Sequence, residues 1–151
     1  HTISRRQRQM CIRDSNYGTA GTVNKKHNGL VEVDVILQRD MIAEPQAPRG
    51  VTPFDTNETA GAIMLNSNTN ITLGTGDSFV QEPDPWFKYA SIDIVDMEAY
   101  ALAKFAKNRK IPFRCFKYVS DFADENAMDN WTKNVSDGQE AFDSTIKQII
   151  N

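Results

Sequence analysis

From Leu30 to Leu37 apolar and polar positions alternate, with Val31, Val33 and Val35 on one side of an extended backbone and Glu32, Asp34 and Ile36 on the other. This period of two predicts a single strand over 30–37 with one polar-leaning face. "NITLGTGDSFV" (70–80) predicts a short strand closing in a glycine-rich turn, and "SIDIV" (91–95) another. "FRCFKYV" (113–119) reads as a buried strand that breaks at "SDFAD". Between the last two, Ala99, Leu102, Ala103 and Ala106 recur at helical spacing, with Lys104, Lys107 and Asn108 largely opposite, until Pro112 stops the helix. A last helix over 137–151 gathers Ala141, Phe142, Ile146, Ile149 and Ile150 mostly on one stripe. Strand, helix, strand, helix in that order argues an α/β sheet. The segment "QRDMIAEPQAPRGVTPFDTNETAG" (38–61) is a long loop, and loops of that length usually cover or line a site.

Composition adds bounds. With 151 residues, 40% apolar and 25% charged, the chain is expected to be one ordinary domain with one site. Residues 1–15, "HTISRRQRQMCIRDS", follow neither period and change character abruptly at "NYGTAG". They read as a non-native or disordered basic tail, so the folded unit is taken as 16–151. Setting aside Arg5, Arg6, Arg8, Arg13 and Asp14 leaves 13 basic against 19 acidic residues, a body without broad attraction for nucleic acid or an anionic membrane. Cys11 and Cys115 make no disulfide framework and no C-x-x-C pair, which points to a reducing compartment. No apolar run matches a membrane helix and no signal-peptide pattern opens the chain, so the expected location is the cytoplasm.

Sites in open α/β sheets gather beyond the carboxyl ends of strands. Polar and small residues collect at "NYGTAG" (16–21), "GTGDSF" (74–79), "DMEA" (96–99) and "SDFAD" (120–124). Each has an ordinary structural reading: Asp96 and Glu98 as helix cap and first-turn acid, Met97 as core filler, Asp121 as a turn residue with Ser120 as a local hydrogen-bonder, and Gly18, Gly21, Gly74 and Gly76 as turn glycines. His27 reads as a surface loop residue, and no metal-ligand spacing occurs.

Together and in this order, "NYGTAG", "GTGDSFV", "VDMEAYALAKFAKNRKIPF" and "YVSDFAD" resemble the nucleoside phosphorylase and nucleosidase superfamily, most closely the 5′-methylthioadenosine/S-adenosylhomocysteine nucleosidases. The resemblance runs from Asn16 to about Ile150. It implies a phosphorylase/hydrolase-like three-layer α/β/α fold with a mixed central sheet, the family's N-terminal strands being missing from this chain. It also implies hydrolysis of the N-glycosidic bond of a purine nucleoside, releasing adenine.

By that resemblance Glu98 accepts the ribose hydroxyls, as a carboxylate can while positive charge develops on the sugar. Met97 packs its soft thioether on the nucleoside, and Asp96 supports the helix start. Asp121 is the general acid at purine N7, which requires a carboxyl raised by burial, with Ser120 orienting it and Ala123 lining the base site. Phe79 stacks on the base, Val80 reads its edge through the backbone, and Ser78 belongs to the same segment. Thr19 stands near the ribose or the nucleophile. Many phosphorylases of the superfamily carry an arginine where this chain has Asn16, which favours water over phosphate as the attacking group, although Arg39 or Arg49 of the long loop are further candidates to approach the site.

The family's glutamate that positions the attacking water falls among the missing strands, so this chain alone is expected to be an impaired catalyst. No cofactor or metal is implied, and a homodimer is the expected state of the intact protein. A purine nucleoside phosphorylase and a non-catalytic nucleoside-binding protein are the alternatives. A nucleic-acid module resting on the basic tail would bind with strong salt dependence that vanishes without residues 1–15.

Overall fold

Asp14 to Thr22 run extended as β1, with "NYGTAG" inside the strand rather than beyond its end. The structure, a computed structural model, describes residues 14–82, 84–122 and 138–150, without the side chains of Asp121 and residues 148–150. The strands that follow are β2 (Gly29–Glu32), β3 (Val35–Gln38), β4 (Ile63–Met64), β5 (Thr72–Thr75), β6 (Ile94–Asp96) and β7 (Phe113–Phe122). They form one mixed seven-stranded sheet in the order β2-β7-β1-β6-β5-β3-β4. β1 lies parallel to β7 and antiparallel to β6, and β5 runs parallel to both β3 and β6. Asp14 and Ser15, counted above with the tail, pair with Phe113 and Arg114.

The expected single strand over 30–37 is two strands lying far apart in the sheet. β2 pairs with β7 at one edge, whereas β3 pairs with β4 and β5 near the other. The break falls at Val33 and Asp34, where the Asp34 carboxylate accepts hydrogen bonds from the amides of Ser67 (2.8 Å) and Asn68 (3.2 Å). The break also shifts the phase of the alternation, since Val31 and Val33 pack in the same core as Ile36 while Leu37 packs on the opposite face. The strand predicted at 91–95 appears at 94–96, and β7 continues past the expected break as far as Phe122.

The short helix α1 (Pro85–Tyr89) was not anticipated, although its signals are local: Asp84 caps it by accepting from Trp86 N at 2.8 Å, and Pro85 opens it. Helix α2 (Ala99–Asn108) matches the expected helix, with one exchange of faces: Leu102 is exposed, and Tyr100 is buried with Ala99, Ala103 and Ala106. Tyr100 turns inward because its hydroxyl donates to Thr59 O (2.7 Å) and Gly61 O (3.1 Å), fastening the 38–61 loop to the helix. Helix α3 (Gly138–Ile150) matches the last predicted helix.

The helices cover both faces. Ala99, Tyr100 and Ala103 pack with Ala20, Ile36, Leu73, Ile94 and Cys115. Leu37 and Val95, one position along their strands, pack on the opposite face with Phe87 of α1. On that same face Phe142 of α3 stacks on Tyr17, centroids 4.1 Å apart. Helix, sheet and helix form the three layers expected of the α/β/α fold.

Candidate active site

β6 ends in Asp96, and the chain then turns into α2 through Met97 and Glu98. Asp96 is held from three sides: Lys117 Nζ stands 2.7 Å from Oδ2, Thr75 Oγ1 donates to Oδ1 at 2.6 Å, and Ala99 N donates to Oδ2 at 3.0 Å. Tyr100 N donates in turn to Thr75 Oγ1 at 3.1 Å. The helix start therefore rests on Asp96 and Thr75, as expected for Asp96. Glu98 makes no side-chain capping bond, and both it and Met97 are exposed.

The Lys117–Asp96 pair is 1% exposed on both sides, and breaking such a pair from one side is far costlier than leaving it unbuilt. To reach Asp96 from β7, Lys117 must cross β1, the strand between them. It does so at Gly18, where a Cβ would lie 3.0 Å from Nζ. The glycine of "NYGTAG" thus makes room for a buried lysine. Beside it, burial pushes the Cys115 thiol up to about 12, which keeps it protonated and excludes it as a nucleophile near neutral pH. Asn16 Oδ1 accepts from Cys115 Sγ at 3.5 Å.

The turn after β5 lies next to this junction, with Gly76 N donating to Asp96 O at 3.1 Å. It lines a cleft of about 560 Å³ together with Arg39, Asp40, Arg49, Ser78, Phe79 and Val80. Phe79 is 39% exposed, whereas Val80 is buried against Leu37, Phe87 and Val95. Arg39 follows β3 and is buried, a position that lowers its pKa through desolvation. Its guanidinium donates to Ser78 Oγ (3.2 Å), Gly76 O (3.2 Å) and Ser78 O. Asp40 Oδ2 accepts from Asp77 N at 2.6 Å. Arg49 stacks on Trp86, pairs with Asp84 at 2.8 Å and donates to Arg39 O.

Register brings the remaining candidates alongside. Ala20 pairs with Val119 and Gly21 with Asp121, so Ser120 is the extra residue of a β-bulge, and it is buried. Gly21 also pairs with Val95. The stretch Thr19–Gly21 therefore runs between the end of β6, which leads into Met97 and Glu98, and the Ser120–Asp121 end of β7. Ser78, Phe79 and Val80 line the cleft, whereas Thr19, Met97, Glu98 and Ser120 are not among its lining residues. The Asp121 side chain and Ala123 lie outside the described residues. Among the described residues no group of three or more His, Cys, Asp or Glu could hold a metal ion, and no helix is long and apolar enough to cross a membrane.

Sequence reasoning missed Lys117, Thr75 and Asp40. For Lys117 a signal existed, since a lysine at the centre of "FRCFKYV" has no solvent face to occupy if the strand is buried on both sides. Thr75 and Asp40 carried no signal beyond that of ordinary strand-end polar residues.

The model of the phosphorylase superfamily matches residues 16–151. A 5′-methylthioadenosine/S-adenosylhomocysteine nucleosidase of Buchnera aphidicola is 30% identical over 139 residues, a match covering 80% of this chain and 59% of that protein. The chain thus spans less than two thirds of its curated relative. Among solved structures, the Helicobacter pylori nucleosidase of the same name superimposes with a TM-score of 0.78 at 21% identity, over 91% of this chain and 67% of that one. Helicobacter pylori futalosine hydrolase gives 0.73 at 20% identity over 83% and 62%, and Arabidopsis thaliana 5′-methylthioadenosine nucleosidase gives 0.71 at 23% over 91% and 60%. At these identities the superpositions establish the fold.

Proposed function

The chain belongs to the phosphorylase superfamily, and from that premise we propose that its site hydrolyses the N-glycosidic bond of a purine nucleoside such as 5′-methylthioadenosine or S-adenosylhomocysteine, releasing adenine. The observation that carries the reading is the exposed Met97–Glu98 pair, seated on the buried Asp96–Lys117–Thr75 network, whose Asp96 carbonyl accepts from Gly76 N of the turn that leads to Phe79 and Val80. The network does the capping, which leaves Glu98 free for a ligand. Its carboxylate accepts the two ribose hydroxyls and stabilises the sugar as positive charge grows at C1′. Met97 supplies an adaptable apolar wall.

Phe79 stacks on the purine, and the backbone of Val80, fixed by its apolar packing, reads the edge of the base. Ser78 and Ala123 complete that wall. Asp121 donates a proton to N7, so that adenine departs neutral, and Ser120 orients its carboxyl. Thr19 faces the ribose or the incoming oxygen. The bond from C1′ to N9 breaks, its electron pair goes to the base, the water oxygen bonds to C1′ and loses a proton to solvent, and Asp121 regains one from solvent.

Water is the favoured nucleophile. A phosphate clamp needs a guanidinium fork turned to the ligand, but the terminal nitrogens of Arg39 are turned to Gly76 and Ser78 and its Nε is buried, while Arg49 is engaged with Asp84 and Arg39 O. Asn16 stands where many phosphorylases have arginine. The same reading makes the protein a cytoplasmic salvage enzyme that needs no cofactor and works as a homodimer, for which the exposed Leu102 and Phe105 of α2 and Phe54 of the loop offer apolar surface. Adenine release from 5′-methylthioadenosine by the intact protein, followed with and without inorganic phosphate, tests it. Release at one rate in both buffers supports hydrolysis, strict phosphate dependence turns the assignment to a phosphorylase, and binding without release turns it to a nucleoside-binding protein.

A further inference from the structure

We infer that Arg39 and Asp40 are positioning residues for base recognition, clamping the Gly76–Ser78 turn so that Phe79 and Val80 meet the purine in a fixed geometry. The inference rests on the reading of Phe79 and Val80 as the base subsite. The β3–β5 ladder ends where Gln38 pairs with Thr75, followed by one last bond from Arg39 N to Thr75 O at 2.8 Å. Beyond that point Gly76 N still donates to Asp96 O of β6, but on the β3 side the ladder is over and side chains take its place. Arg39 donates to the carbonyls of Gly76 and Ser78 and to the Ser78 hydroxyl, while Asp40 accepts from the amide of Asp77. Three successive residues are thereby held from one neighbouring strand.

Gly76 is part of the device. A Cβ there would fall 2.8 Å from Arg39 Cζ and 2.8 Å from Asp40 Cγ, so the turn approaches the clamp as closely as a backbone without a side chain allows. The clamp is itself braced, since Arg49 donates to Arg39 O while stacked on Trp86. Stability alone argues poorly for this arrangement. The buried guanidinium leaves Nε without a hydrogen-bond partner among the described residues, and apolar side chains of similar volume commonly replace buried charges without loss of stability. What a fork of fixed donors supplies is orientation. Phe79 needs it, because its ring is 39% exposed and has little packing of its own to set its angle. A turn already in its bound shape spares the ligand the cost of ordering it.

The test measures adenine affinity by calorimetry, together with KM and kcat for 5′-methylthioadenosine, in Arg39→Met, Arg39→Lys, Asp40→Ala, Asp40→Asn and Phe79→Ala. Asp40 is exposed, so its variants probe the clamp even where Arg39→Met folds poorly. Arg39→Met and Asp40→Ala are expected to weaken adenine binding about ten-fold or more, the scale of a lost charge-assisted hydrogen bond. KM should rise in step while kcat stays within about three-fold. Asparagine at 40, which keeps an acceptor, should recover most of the loss, whereas lysine at 39, which keeps the charge without the fork, should recover little of it, a split that simple destabilisation would not give. If Asp40→Ala and Arg39→Met bind adenine within about two-fold of the parent while Phe79→Ala loses it, the clamp is overturned and the base subsite stands. If Phe79→Ala also binds adenine normally, the base subsite falls and the clamp with it.

Discussion

Replacing Lys117 by methionine strips the buried charge from beneath the Met97–Glu98 turn while keeping most of the apolar stem. In the parent, Nζ lies 2.7 Å from Asp96 Oδ2, and both side chains are 1% exposed. Without the ammonium, Asp96 remains a buried carboxylate supported, among the described residues, by the Thr75 hydroxyl and the Ala99 amide. Breaking a buried pair from one side costs about 3–5 kcal/mol. For a domain of this size that is a fall in Tm of about 6–20 °C. Asp96→Asn in the same background removes the stranded charge, and its amide oxygen can still accept from Ala99. The double variant should therefore regain about half the loss or more, a coupling of about 2 kcal/mol. Gly18→Ala offers a control on the path: its Cβ would press on Nζ and cost about 1–2 kcal/mol, mostly relieved when Lys117 is shortened to alanine. Thermal unfolding of these variants by circular dichroism at pH 7 measures the cycle. A loss below about 1 kcal/mol for Lys117→Met, the scale of a surface pair, or strictly additive losses around the cycle, would refute the reasoning.

Asp121→Asn should lower kcat about 10²–10⁴-fold, the range of a lost general acid, with adenine affinity nearly kept; undiminished turnover would remove Asp121 from the role. With Cys11 replaced by serine, Cys115 should resist a thiol-specific chromogenic disulfide at pH 8 in the folded protein and react once it is unfolded. Its thiol is pushed to about 12 by burial against an ordinary 9.0, so its effect on stability is nil below about pH 9 and becomes destabilising as the pH climbs toward 12. Hydrogen bonds from Lys104 above all, and from the Asn57 amide, hold the Asp55 carboxyl down to about 2 against an ordinary 3.8. Its contribution is therefore present above about pH 4 and lost as the pH falls through about 2. A side-chain NMR titration should place its midpoint near 2 in the parent and nearer the ordinary value in Lys104→Met, and an unshifted parent would contradict this.

The order of chemistry-bearing stretches was legible because each is local: a glycine-rich turn after a strand, a carboxylate at a helix start and a polar break after an apolar run can all be read from short windows. The partners that make them a site were not, since Lys117 meets Asp96 across β1 and Arg39 meets Ser78 across a strand gap, contacts with no sequence period. The two halves of "LVEVDVIL" show the limit of alternation, which reports a buried face and not which strand lies beside it. Leu102 and Tyr100 show another. Apolar spacing favoured Leu102 for the core, but a hydroxyl with two carbonyl partners in the 38–61 loop drew Tyr100 inward instead. Asn16 to Gly21 suggested a strand end by composition, yet the run is the middle of a strand whose glycine yields space to a lysine from the neighbouring strand.

The most direct test compares Glu98→Gln with its parent, both as the intact protein, for adenine release from 5′-methylthioadenosine in phosphate-free buffer, with adenine affinity measured on the same samples. The expected result is a fall in kcat/KM of about 10²-fold or more, because the carboxylate acts on charge that develops at the sugar, with affinity for the free base kept within about two-fold. Adenine release by Glu98→Gln at the parent's rate would contradict it.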